Sequence, residues 1–327
     1  MSVLRELRRC GVALVLAGTG AAALACALCL NAFKVTLRAQ DLVYAQRVVL
    51  AVPQGEGWRV VERIKGDGLA AGAIIGEPVA RLTPDQAQGK PLLLIREDRW
   101  LQWVNMGAIG TAHADWLREL ARPLPVGPAG DERRAARVGF LLPSLQSTEP
   151  MVAELAYGEI AAAPYRAMRA NKATIDLEAV RRWVADPALA SRHDLYLLLL
   201  GIAGGPADAA VLQRRLDAQY KAKDPTHLAA LLAADLELRG PSRLGWLEKR
   251  YLRDTSRGLD EQQAALLALN VQAAEDSVIP RAQVMALYRR LLGSKAPLPA
   301  PVRSAMQNEL DRGALGPVAG ASPQARP

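Results

Sequence analysis

The chain has 327 residues, half of them hydrophobic and 23% charged, with 41 Lys and Arg against 33 Asp and Glu for a formal charge of +8. That apolar content excludes a polar disordered chain, and the length exceeds one typical domain and suits two. The moderate basic excess excludes a histone-like polycation and leaves either ordinary solubility or attraction to an anionic partner. Aromatics make up only 5% of the chain, while Ala, Leu and Arg are abundant, which favours helix because these side chains lose little entropy there.

At the amino terminus, Arg5, Arg8 and Arg9 precede an uncharged stretch from Cys10 to Phe33, followed by Lys34. The stretch is as long as a membrane span, and the charge before it favours an amino terminus kept in the cytoplasm and a body placed across the membrane. Residues 1–33 are therefore expected to be a signal peptide or membrane anchor, and the rest exported to the periplasm or held on that side. If the segment is not cleaved, residues 10–33 associate with the membrane. All three cysteines (Cys10, Cys26, Cys29) fall in this stretch, so the body has no thiol chemistry.

From Lys34 to about Val104 the pattern is extended, within an expected domain over 34–120. Val35 to Leu37, Val43 to Val52, Trp58 to Ile64, Leu92 to Ile95 and Trp100 to Val104 are β-rich runs, punctuated by Pro53-Gln54-Gly55, Gly66-Asp67-Gly68 and Gly89-Lys90-Pro91. A small, mostly antiparallel β-domain follows, closed by a short helix over 113–120. Trp58, Trp100 and Trp103 are its bulky residues and are expected to fill its core. In order and punctuation, with Ile64-Lys65-Gly66 ending a strand, the region resembles the small β-barrel modules of exported bacterial proteins.

Residues 121–131 hold three prolines and two glycines and are expected to be a linker. Beyond them, apolar periodicity between Pro and Gly stops predicts helices at 132–142, 150–162, 176–185, 193–203, 206–219, 225–238, 241–254, 260–273, 280–292 and 299–312. Asp176, Asp260 and Asp224-Pro225 read as helix starts. A basic pair recurs inside this pattern: Arg181-Arg182, Arg214-Arg215, Lys249-Arg250 and Arg289-Arg290. Two copies align over a longer stretch, with Gly205-Pro206 opening one and Gly240-Pro241 the next, and Leu212, Gln213 and Leu216 matching Leu247, Glu248 and Tyr251. Units of roughly 33 to 40 residues that repeat in this way stack as helix hairpins. Residues 132–312 resemble the HEAT and armadillo-like helical repeat superfamily, which implies a stacked array that works by binding. The tail from 313 to 327 lacks periodicity and is expected to be disordered. The fold class is therefore α+β and multidomain: an N-terminal hydrophobic helix, a small β-domain and an all-α HEAT-like array.

No phosphate loop, dinucleotide fingerprint, HExxH or GxSxG is present, so no cofactor, metal site or catalytic residue is assigned. His113, His193 and His227 lie far apart in sequence and read as surface or capping residues. The eight basic-pair residues are the candidate surface for an anionic partner: stacked hairpins would align them as a ladder, although Lys and Arg late in a helix also complement its dipole. The expected function is a non-enzymatic protein-interaction scaffold of the bacterial envelope. Two alternatives stand beside it, an envelope enzyme or enzyme accessory with its site between the β-domain and the repeats, and a binder of anionic lipid or polymer through the basic pairs. Nucleic acid is not an expected partner, because the chain is expected to leave the cytoplasm.

Overall fold

The computed structural model describes residues 39–77, 79–80, 89–97, 102–125, 127–273, 277–294 and 297–314. The expected membrane segment at 10–33, the run from Val35 to Leu37, Trp100 and the tail beyond 314 lie outside these residues. Among the described residues no helix is long and apolar enough to cross a membrane. The fold is α+β, with a small mixed sheet on the N-terminal side and a helical region after it.

The elements in the first part are α1 (Ala39–Tyr44), β1 (Arg47–Gln54), β2 (Gly57–Lys65), β3 (Ile74–Ile75), β4 (Val79–Ala80), β5 (Leu92–Arg96), β6 (Trp103–Ala108), α2 (Ala114–Leu120), α3 (Pro128–Leu141), α4 (Pro150–Ala162) and α5 (Tyr165–Arg169). Val43 and Tyr44, expected in a strand, close α1 instead, and Lys65 accounts for that ending. Its ammonium donates to the Leu42 and Val43 carbonyls at 3.2 and 2.5 Å, satisfying acceptors that a helix C-terminus leaves open.

The sheet order is β3-β2-β1-β5-β6-β4, antiparallel except for the β4 and β6 pair. Six strands laid flat would put the two edges about 24 Å apart. The edges β3 and β4 are joined by only three residues, which reach about 14 Å, so the sheet curls. Short edges of this kind offer little template for foreign strands. Val49, Ala51, Val60, Ile75, Leu92, Leu94 and Trp103 form the core, with Trp58 packed against it. Trp103 thus fills the core as expected. The α2 helix lies against β2, where Arg118 donates to the Arg63 carbonyl at 2.9 Å and pairs with Glu62.

The chain divides into two compact units. One holds the described residues up to Ala163 together with Ala167–Asp176, and the other holds Pro164–Arg166 and the described residues from Leu177 onward. The Pro-rich segment 121–131 lies within the first unit, so α3 and α4, expected in the array, are grouped with the sheet. The packing there shows how: Met151 near the start of α4 packs on Gly107 of β6, and Glu149 just before it pairs with Lys90 at 3.1 Å.

The second unit contains α6 (Leu177–Ala185), α7 (His193–Ala203), α8 (Pro206–Ala222), α9 (Leu228–Arg239), α10 (Leu244–Leu247), α11 (Leu259–Gln272), α12 (Arg281–Leu292) and α13 (Ala300–Ala314). Hairpin partners pack together, and α7, α9, α11 and α13 stack in order as one layer. The α6, α8, α10 and α12 segments form the other layer. The layers have different apolar patterns. In α7 nine of eleven residues are buried and in α9 eight of twelve, while α8 buries a stripe through Asp208, Ala209, Leu212 and Leu216.

The helix expected over 241–254 is broken into three pieces: a 3-10 turn (Gly240–Arg243), the short α10, and a π-turn (Glu248–Leu252). Pro241 cannot donate to a preceding turn, and the π-turn holds one extra residue per turn. That extra residue lets Leu247, Glu248, Tyr251 and Leu252 all face inward while Lys249 stays exposed. Asp260 is not the cap of α11 either. Gly258 precedes the helix, and its N–H donates to the Glu261 carboxylate at 3.0 Å.

Candidate functional site

The repeated basic pairs occupy α6, α8, the π-turn after α10, and α12, all in one layer. Within three of the four pairs, the second residue reaches back to the preceding helix of that layer. Arg215 donates to the Val184 carbonyl at 3.1 Å, Arg250 pairs with Asp217 at 2.7 Å, and Arg290 pairs with Glu248. In the first pair Arg181 reaches forward and grips Asp208 through two bonds of 2.8 Å. Asp208 also accepts from the Gly205 N–H at 2.9 Å, and the Arg181 guanidinium beside it holds its carboxyl below the usual range. Arg182, Arg214, Lys249 and Arg289 are exposed and make no hydrogen bond or ion pair among the described residues. Each pair therefore supplies one internal tie and one outward charge.

A second feature lies on the same layer. The Arg250 guanidinium sits 3.8 Å from the Tyr220 ring centroid, Arg257 sits 3.9 Å from the same ring, and Arg243 sits 3.4 Å from Trp246, which Arg250 approaches at 5.2 Å. Arg243, Trp246, Arg250, Tyr220 and Arg257 thus form one alternating stack of cations and rings. The Tyr220 hydroxyl donates to Asp254 at 2.6 Å, and that bond, ahead of those from Ser256, draws the Asp254 carboxyl down to about 2. The stack joins α8 to the broken helix that follows it.

The buried carboxylates of this unit other than Asp194 are paired with arginine. Asp235 holds Arg239 at 2.9 Å and also Arg243, Glu261 holds Arg257 at 3.0 Å, and Glu309 holds Arg281 at 3.0 Å. Burial pushes Glu248 up, but Arg290 and Arg253 outweigh it and leave its carboxyl below the ordinary value. Glu248 is thus held ionised as a structural anchor. Proton transfer near neutral pH needs the opposite shift. No group of three or more His, Cys, Asp or Glu side chains suited to a metal ion occurs among the described residues.

Two histidines that lie far apart in sequence meet in space. The His193 and His227 rings are 5.5 Å apart, and His227 Nδ1 lies 2.7 Å from buried Asp194. The separation of 34 residues hides this in the sequence, although the helical repeat length is its clue. The bond to Asp194 raises His227 above the ordinary imidazole value, against the opposing effect of burial. A raised folded value means that the stabilisation is complete below the unfolded value near 6.5 and fades as pH rises through the folded one. His227 also has φ +55, a conformation that Asn tolerates. His227→Asn is therefore expected to flatten the fall in melting temperature of the array as pH rises above about 6.5. An unchanged pH profile would remove the assignment.

Charge is divided between the two layers. The α6, α8, α12 and Gly240–Leu252 segments carry eleven Lys and Arg against four Asp and Glu, whereas α7, α9, α11 and α13 carry three against seven. All four acids of the basic layer are committed to arginines: Glu178 and Asp208 to Arg181, Asp217 to Arg250, and Glu248 to Arg253 and Arg290. Of the remaining cations, Arg243 and Arg281 pair with Asp235 and Glu309 of the other layer, Arg215 donates to Val184, and Arg182, Arg214, Lys221, Lys249 and Arg289 are exposed. No family model matches the chain, and no similar curated protein or solved structure is found.

Proposed function

We propose that this chain is an exported, non-enzymatic scaffold of the bacterial envelope, and that it binds a protein partner through the basic layer of a HEAT-like helical array. The single observation that supports this reading is the unequal division of charge. The acids of one layer are consumed in ties between successive helices, and a row of unpaired cations remains on its outside. Stacked hairpins of this type characteristically work as extended binding surfaces. The export component rests on Arg5, Arg8 and Arg9 ahead of the uncharged Cys10 to Phe33 stretch.

The test is chemical cross-linking in intact cells of a tagged full-length protein, with mass spectrometry of both the cross-linked peptides and the protein's own amino-terminal peptide. The expected result is a reproducible partner joined to residues between 177 and 292, recovered from the envelope fraction. Recovery in the cytoplasm would remove the export component. Cross-links confined to residues 39–176 would contradict the scaffold reading of the array.

A further inference from the structure

We infer that the basic layer is a docking surface for an acidic, extended segment of a partner protein, which crosses successive helices and pairs its carboxylates with Arg214, Lys249 and Arg289. The inference rests on the scaffold reading and names its partner class. These three cations hold the same place in consecutive repeats, each immediately before the residue that ties back to the preceding helix. Packed helices lie about 8–10 Å apart. A chain in the polyproline II form has three residues per turn and advances about 3.1 Å per residue, so side chains three positions apart point the same way at about 9 Å. Acidic residues at every third position of such a segment match the row.

The same layer argues against other anionic partners. Nucleic acid binding without sequence preference needs free ring faces on which bases stack. Tyr220 is covered by guanidiniums from Arg250 and Arg257, and Trp246 is covered by Arg243. A membrane-surface helix inserts large apolar side chains between lipids. Among the described residues of this layer, Val211 is the one exposed large apolar side chain, with Trp183, Leu244, Trp246 and Leu292 half-buried. A second copy of the chain is also a poor fit, because most acids of the opposite layer, including Asp194, Asp235, Glu261 and Glu309, are buried.

The test uses the full-length protein and a fluorescein-labelled twelve-residue peptide of repeated Glu-Pro-Pro, followed by anisotropy at low and physiological salt. Reversing three charges together (Arg214→Glu, Lys249→Glu, Arg289→Glu) is expected to weaken binding about tenfold or more. The equal reversal Arg59→Glu, Arg133→Glu, Lys172→Glu on exposed residues of the other unit is expected to leave it within about twofold. Circular dichroism melting checks that both variants remain folded. Absent peptide binding, or equal loss in the two variants, overturns the inference while leaving the scaffold reading to its own cross-linking test. Tighter binding of phosphatidylglycerol vesicles or of oligothymidylate, lost in the first variant alone, overturns it in favour of a membrane or a nucleic acid.

Discussion

Replacing Asp235 with Ala is expected to destabilise the helical array by about 3–5 kcal/mol, because it strands a buried guanidinium rather than deleting one interaction. The Asp235 side chain is 1% exposed and holds both Arg239, on its own helix, and Arg243, which is 12% exposed. Arg243 is already pushed below its ordinary value by burial, and Asp235 opposes that shift. Arg243 also donates to Gln213 and lies over Trp246, so one carboxylate anchors the junction of α8, α9 and the broken helix. In urea, the transition of the array is expected to move down by about 1–2 M. Replacing all three charges (Asp235→Leu, Arg239→Met, Arg243→Met) is expected to recover most of the loss, since no charge is then left unpaired. A single Asp235→Ala variant as stable as the parent would show that the cluster is not an anchor.

The second large effect is steric. Gly201 lies where α7 crosses α9, and a Cβ built there would stand 2.6 Å from the Ala234 Cα and 2.9 Å from its Cβ. The nearest atoms are backbone, which cannot swing aside like the end of a side chain. Gly201→Val is therefore expected to force the two helices apart and to cost about 1–3 kcal/mol or more. Ala234→Gly should not rescue it, because the backbone of residue 234 still occupies the space. A full rescue, or a melting temperature unchanged by Gly201→Val, would place the helices farther apart than described.

Much of the array was legible because its signals are local. Nine of the ten expected helices coincide with observed ones to within a few residues, since Pro and Gly stops at Pro206, Pro150 and Gly204 act on their immediate backbone. The aligned positions Leu212 and Leu247, and Leu216 and Tyr251, are all fully buried, so the repeat did encode equivalent inward faces. The tenth helix failed at Gly240 to Leu252, where the apolar period continues but the π-turn absorbs a residue. Its period alone does not distinguish the two. The strands β3 and β4 were missed because two residues cannot display an alternation.

The site was legible in part. The basic pairs marked the layer, but the sequence did not say which arginine of each pair turns inward. That depends on carboxylates one repeat away, such as Asp217 for Arg250 and Glu248 for Arg290. The arginine and aromatic stack was equally hidden, since Tyr220 and Trp246 come to share Arg250 only when two hairpins are packed. The histidine pair and Asp194 became neighbours by the same route.

Contact between the basic layer and the partner can be read in cells by site-specific photocross-linking. A benzophenone side chain at Ala210, Gly245 or Ala286 samples exposed positions of that layer, and one at Gln263 or Asp311 samples the opposite layer. A common protein adduct is expected from the first three positions and none from the last two. Adducts from Gln263 and Asp311 with none from the basic layer would contradict it.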